Sequence, residues 1–169
     1  MVKVLFVLER VSMIFSVKPA VIQEKPLIFD LLQLYMDELS RFPDENPDYK
    51  DENGIYHYPY LDHYWKESER FPYLLLDEGE IAGFALVRLD GDHWEMAEFY
   101  VLPQFRRRGL AMTCVRDIFK RHPGGWKIMH NRHNQAGRAL WWKLAERFAQ
   151  GEILAGEEDA SHDYLGFLV

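Results

Sequence analysis

The residues best placed to do chemistry in this sequence are Pro103-Gln104-Phe105-Arg106-Arg107-Arg108-Gly109-Leu110-Ala111, between an apolar run ending at Leu102 and an amphipathic run beginning at Leu110. Read as strand, tight turn and helix start, the segment gathers unpaired backbone N–H groups and a partial positive charge at one point, which makes an anion site. Gly109 lets the main chain approach a diphosphate closely, and small Ala111 leaves room on the ligand side. The three arginines add long-range attraction, although solvated Arg-rich turns have the same composition. Other candidates are weaker. His130 and His133 have a metal-like offset but no third ligand in view, which leaves metal binding unsupported and His130 as an alternative substrate-side base. Cys114 falls on an apolar stripe and reads as core.

The elements that must position this segment follow from periodicity. Leu27, Leu31, Leu32, Leu34, Tyr35 and Leu39 after Pro26 predict an amphipathic helix near 26–41. A polar loop over 41–54 leads to an aromatic stretch, Tyr56, Tyr58, Tyr60, Tyr64 and Trp65, with a short helix near 61–69. Residues 73–76, 81–89 and 94–102 read as three consecutive antiparallel strands, the last ended by Pro103. A helix after Gly109, a strand at 126–130, a helix at 134–148 and tail strands near 152–155 and 164–169 complete the order, and a first strand begins at Ile14. The expected fold class is mixed α/β (α+β), a mostly antiparallel sheet of six to seven strands with helices on both faces.

At 169 residues, without a repeat or a linker, the chain reads as a single domain over 1–169, with 1–12 an extension before the first strand and Met13 an alternative start. The 48% hydrophobic content excludes a disordered or fibrous chain. One cysteine excludes internal disulfides and cysteine-based zinc, and makes a reducing, cytoplasmic setting the default. The apolar run Val4–Leu8 is too short for a leader or a span. Net charge is −7, yet Phe99–Phe148 carries eleven Lys or Arg against Asp117 and Glu146, a net of +9 against −16 elsewhere. One basic segment in an acidic protein suits a small polyanion held at one place better than nucleic acid.

With Glu98-Phe99-Tyr100-Val101-Leu102-Pro103 leading into Arg106, Gly109 and Ala111, the chain resembles the GNAT superfamily of acyl-CoA-dependent N-acyltransferases, whose signature is Gln/Arg-x-x-Gly-x-Gly/Ala. Asn134, Gly137, Ala139, Trp141 and Trp142 match the Asn and aromatic helix that follow in that family. The resemblance covers residues 72–148 well and the chain from about 13 more loosely, and within the superfamily it is similar to a bacterial branch of predicted acetyltransferases.

The resemblance implies an N-acetyltransferase that uses acetyl-CoA as co-substrate and no metal. The strand of Phe99, Tyr100 and Val101 would splay from the strand at 128–130, with pantetheine completing the gap as a pseudo-strand. Arg106, Arg107, Arg108, Gly109, Leu110, Ala111 and Met112 would meet the pyrophosphate, and Asn134 the pantetheine arm. A backbone N–H near Tyr100 would stabilise the oxyanion. The base is expected to be Glu98, just before the pantetheine-binding residues; strand alternation sets Glu95 on the opposite face, as a solvated residue. The alternative for Glu98 is an ion pair with an arginine of the basic segment.

One departure stands out. The tyrosine that protonates the leaving thiolate in many relatives falls here at Trp142, which cannot act as that acid and is expected to wall the acyl-CoA channel; Tyr164 is an alternative acid. The aromatic stretch at 56–65, with Asp62, Glu67 and Glu69, suits a cationic amine, small molecule or peptide. Partners are expected to include no nucleic acid and no membrane, with a homodimer left open. Two rivals remain: a CoA-binding regulatory module without turnover, and a nucleic-acid binder using Arg106–Arg108.

Overall fold

The computed structural model describes residues 14–43 and 50–169. The extension at 1–12, Met13 and residues 44–49 of the polar loop lie outside the described residues. The elements are β1 (Phe15–Pro19), α1 (Lys25–Leu39), β2 (Arg70–Asp77), β3 (Glu80–Asp90), β4 (His93–Val101), α2 (Leu110–Arg121), β5 (Gly125–Asn131), α3 (Gln135–Phe148), β6 (Leu154–Glu157) and β7 (His162–Leu168). The short helix expected over 61–69 is a single 3-10 turn, Leu61–Trp65, held by the Trp65 indole donating to the Ala20 carbonyl at 2.9 Å.

The strands form one seven-stranded sheet in the order β1-β2-β3-β4-β5-β7-β6. Every neighbouring pair is antiparallel except β4 and β5, which are joined through α2 and run parallel. Helices cover both faces, as the sequence predicts. On one face α2 and α3 bury Leu110, Cys114, Val115, Ile118, Phe119, Leu144 and Ala145 against Trp126, Ile128 and Leu165. On the other, Ile28, Leu31 and Leu32 of α1 pack with Leu61 and Tyr64 on Leu74, Phe84, Leu86 and Tyr100. A 12-residue helix such as α2 is marginal alone, but it buries five side chains, each worth roughly 1.5–3 kcal/mol, so tertiary packing fixes it. No helix among the described residues is long and apolar enough to cross a membrane.

Two irregularities of β4 position the site. Leu86 pairs with Glu98 and Val87 with Met96, so Ala97 is an extra residue with no partner on β3, a bulge that bends β4. The parallel pairing with β5 stops at that level, after Trp94–Trp126 and Glu95–Lys127. At the far end Gly83 allows β3 to close on β4: a Cβ there would lie 2.0 Å from the Tyr100 carbonyl oxygen. β4 therefore leans toward β3 and away from β5.

Candidate active site

Beyond Glu95 and Lys127 the main chains of β4 and β5 are not paired with each other, so the sheet carries an open seam along Met96–Val101 and Ile128–Asn131. α2 starts just past the end of β4, and α3 just past the end of β5, so both helix starts lie at the same end of the seam. A cavity of about 430 Å³ passes through it. Its walls are Tyr35, Met36 and Leu39 of α1, the Tyr56–Tyr60 segment, Arg88 of β3, Glu98 and Phe99 of β4, His130 of β5, Trp141 of α3 and His162 of β7.

Glu98 borders the cavity beside Tyr58, and its charge acts on the Tyr58 phenol. Burial, with the Glu98 charge second, drives Tyr58 far above the ordinary phenol range, so it stays a donor at every working pH. Burial, again with Glu98 second, pushes Tyr64 up to about 12. The alternation expected between Glu95 and Glu98 fails, because the bulge at Ala97 resets the pleat and returns both carboxylates to the α1 face. Nor is Glu95 solvated: it is 4% exposed and receives the Arg88 Nε at 2.6 Å. Arg88 thus neutralises Glu95 at the cavity wall, and Glu98 is the carboxylate among the cavity-lining residues.

Phe99 borders the cavity with its ring edge-on to Trp141, centroids 5.5 Å apart. Tyr100 is buried against Tyr35 of α1, and the Val101 carbonyl accepts the Arg106 Nε at 2.7 Å. Arg106 also makes a two-pronged pair with Glu38 of α1 at 2.7 and 2.9 Å, and so ties the turn to that helix. Arg108 pairs with buried Asp77 at 2.6 Å. Arg107 and Gly109 both have positive φ, +60° and +89°, which folds the turn tightly into the start of α2. Thr113 donates to the Gly109 carbonyl at 3.1 Å, so the amides of Leu110, Ala111 and Met112 precede the first helical bond and face out of the helix end. The Leu110 side chain is core, 1% exposed.

Asn134 caps α3, its Oδ1 accepting the Gly137 amide at 2.9 Å, and it borders the cavity. The indole at the cavity is that of Trp141 and not of Trp142. Asn134, Gly137 and Trp141 follow at helical i, i+3, i+7 spacing along one face, and Trp142, one step further round, is half-buried against the α2–α3 core. Tyr164 lies on β7 opposite Met129, with Lys127 over its ring, and does not border the cavity. Two of the acidic residues near the tyrosines are engaged, Asp62 with Lys25 and Lys66 and Glu67 with His63 and Arg70. His130 borders the cavity while His133 is exposed on the following turn. Sequence reasoning did not find Arg88, Tyr35 or His162, which reach the cavity from three separate elements and form no local motif.

The sequence-family model described as the acetyltransferase (GNAT) family matches residues 30–125, more than half of the chain and inclusive of β4, the arginine turn and α2. A search of curated proteins finds no match. Among solved structures, a PaiA N-acetyltransferase from Thermoplasma acidophilum in complex with coenzyme A superposes with a TM-score of 0.63 at 10% identity, over 93% of this chain and 100% of that one. The ribosomal-protein-S18-alanine N-acetyltransferase from Escherichia coli gives 0.58 at 15% identity, over 90% and 91%. A GNAT family acetyltransferase from Elizabethkingia anophelis with acetyl-CoA bound gives 0.58 at 15%, over 92% and 98%. At such identities the likeness is one of fold, and the family rests on the sequence match. With β4 parting from β5 beside a turn that carries the signature residues, the chain belongs to the GNAT acetyltransferase family.

Proposed function

We propose that this protein transfers an acetyl group from acetyl-CoA to the primary amine of a small molecule or peptide, by direct attack in a ternary complex. The observation that carries this is the seam: main chain left unpaired between two parallel strands, with a helix start and a positive-φ turn at its open end. Buried main-chain polar groups demand partners, and an extended pantetheine arm offers amides at strand-like spacing.

Within this scheme Phe99, Tyr100 and Val101 present main chain to the arm, and the Asn134 Nδ2 donates to it. The amides at 107–112 receive the diphosphate, with the exposed Arg107 beside them. Arg106 and Arg108 shape the turn through Glu38 and Asp77, an engagement that also speaks against a nucleic-acid role. A backbone N–H near Tyr100 stabilises the oxyanion. Glu98, beside Tyr58, takes a proton from the arriving ammonium, directly or through water, which frees the lone pair for attack. Trp141 walls the acyl channel, and the tyrosines at 56–60 with Tyr35 form the acceptor wall. The single buried cysteine suits a cytoplasmic setting.

The experiment is thiol release from acetyl-CoA with a panel of primary amines, paired with calorimetric titration of coenzyme A. Turnover with at least one amine is expected, and the product gains one acetyl group by mass. Binding without turnover across a broad panel favours a CoA-binding regulatory module, which the absence of a phenol on α3 motivates; no binding removes the acyl-CoA scheme.

A further inference from the structure

One side chain of the cavity has no part in the scheme above. His130 is 6% exposed, borders the cavity with Asn134, Gly137 and Trp141, and its Nδ1 has no hydrogen-bond partner among the described residues. Leaving a buried polar atom unpaired costs roughly 1–3 kcal/mol, a cost that disappears once a ligand supplies the missing bond.

Its place on the strand says which side of the seam it serves. Trp126 and Ile128, four and two residues earlier, pack into the α2–α3 core, so strand alternation aims His130 to that face. Glu98 shares the opposite, α1 face with Tyr100. Carried forward from the last pair, Glu95–Lys127, the two parallel strands bring His130 level with the Glu98–Phe99 stretch. A carboxylate and an imidazole thus border one opening at the same height from opposite faces.

We propose that His130 is the proton shuttle to the leaving sulfur, acting from the α3 side of the seam, where neither Trp141 nor Trp142 can serve as an acid. The assignment rests on the acyl-CoA scheme above. Glu98 removes one proton from the ammonium, and the C–N bond forms as the nitrogen attacks the thioester carbon. The imidazole, with its own proton on Nε2, receives the second proton lost by nitrogen at Nδ1. It delivers that proton to sulfur as the C–S bond breaks. The products are the amide and the free thiol, and the proton on Glu98 passes to solvent.

The surroundings suit this task. Burial lowers the basicity of His130, so the ring is neutral when the cycle begins and gives up a captured proton readily. The groups facing it are the Asn131 main chain, Asp163 on β7, which is itself paired with Arg132 at 2.9 Å, His162 on β7 and Arg138 on α3.

The test compares coenzyme A with desulfo-coenzyme A by calorimetry, beside steady-state turnover. The native protein should prefer the thiol by about fivefold, the scale of one hydrogen bond. His130→Phe keeps the ring volume; it should erase that preference and lower kcat about 100-fold with the KM for acetyl-CoA unchanged. His130→Asn places an amide nitrogen near the Nδ1 position and should restore the preference but not kcat; thermal melting of each variant verifies its fold. A His130→Phe protein that retains the sulfur preference, or turns over within twofold of native, overturns the assignment and leaves acetyl transfer standing. Failure of the native protein to bind coenzyme A overturns the acyl-CoA scheme itself.

Discussion

Asn134 accepts the Gly137 amide through Oδ1 at 2.9 Å while its Nδ2 lies 2.8 Å from where a Cβ on residue 137 would stand, so the same side chain starts α3 and fills the space beside it. Cap and ligand contact can be separated. Asn134→Ala should lose about 1 kcal/mol of stability with the cap and also raise the KM for acetyl-CoA. Asn134→Asp should keep the melting temperature, because a carboxylate caps equally well, yet raise that KM about tenfold for want of the donor. Equal KM values for native and Asn134→Asp would remove Nδ2 from the binding role.

The Tyr58–Glu98 contact makes a prediction about pH. Glu98→Gln should lower kcat by about 100-fold or more and leave coenzyme A affinity alone. A phenol dipole beside the charged carboxylate favours that form, so Tyr58→Phe should raise the pKa of Glu98 and move the acid limb of kcat/KM up by about one pH unit. The other charged or titratable groups near this pair, Tyr35, Tyr64, Arg70, Arg88 and Glu95, are untouched by the change. An unmoved limb would separate Tyr58 from the base.

Gly109 opens α2 with φ +89°, and nothing lies within 4 Å of the position a Cβ would take. Any side chain there fits the space but strains the backbone by roughly 1–2 kcal/mol. Gly109→Ala and Gly109→Glu should therefore melt alike. Only the glutamate sets a negative charge at the helix start, and it should abolish coenzyme A binding in a calorimeter, whereas the alanine variant should still bind.

His122 is 4% exposed, hydrogen-bonded to the Tyr73 hydroxyl at 2.8 Å and enclosed by Phe71, Trp94 and Trp126. Burial lowers its pKa from 6.5 to about 4. The unfolded chain then binds more protons than the folded one between these values, so stability present above about pH 6.5 is lost as the pH falls toward 4, by roughly 3 kcal/mol in total. His122→Gln should flatten this part of the curve; parallel denaturant curves for variant and native protein across pH 4–6.5 would refute it.

Much of the architecture was legible because it is local. The stripes of α2 and α3, the strand–turn–helix at 102–111 and the aromatic segment at 56–65 all lie where their spacing put them. What escaped is what periodicity does not encode. The bulge at Ala97 follows no rule of strand alternation, yet it decides that Glu95 and Glu98 share a face. The partner of Arg106, Glu38, is 68 residues away, so three arginines in a row read as an anion site when one of them braces α1. A single helical step separates Trp141 from Trp142, and only the cap at Asn134 sets the phase that brings the former to the cavity.

The lean of β4 has a consequence for how such a protein changes over generations. Its grip on the thioester carrier is assigned to peptide groups, which almost every substitution preserves, and the steric condition for that grip falls on one codon, the glycine at 83 whose missing methyl keeps clear of the Tyr100 carbonyl. The wall assigned to the other reactant is made of ordinary side chains on separate stretches, Tyr35 and the tyrosines of 56–60. On that assignment, drift can rewrite which amine is accepted while the donor half of the machine stays in working order.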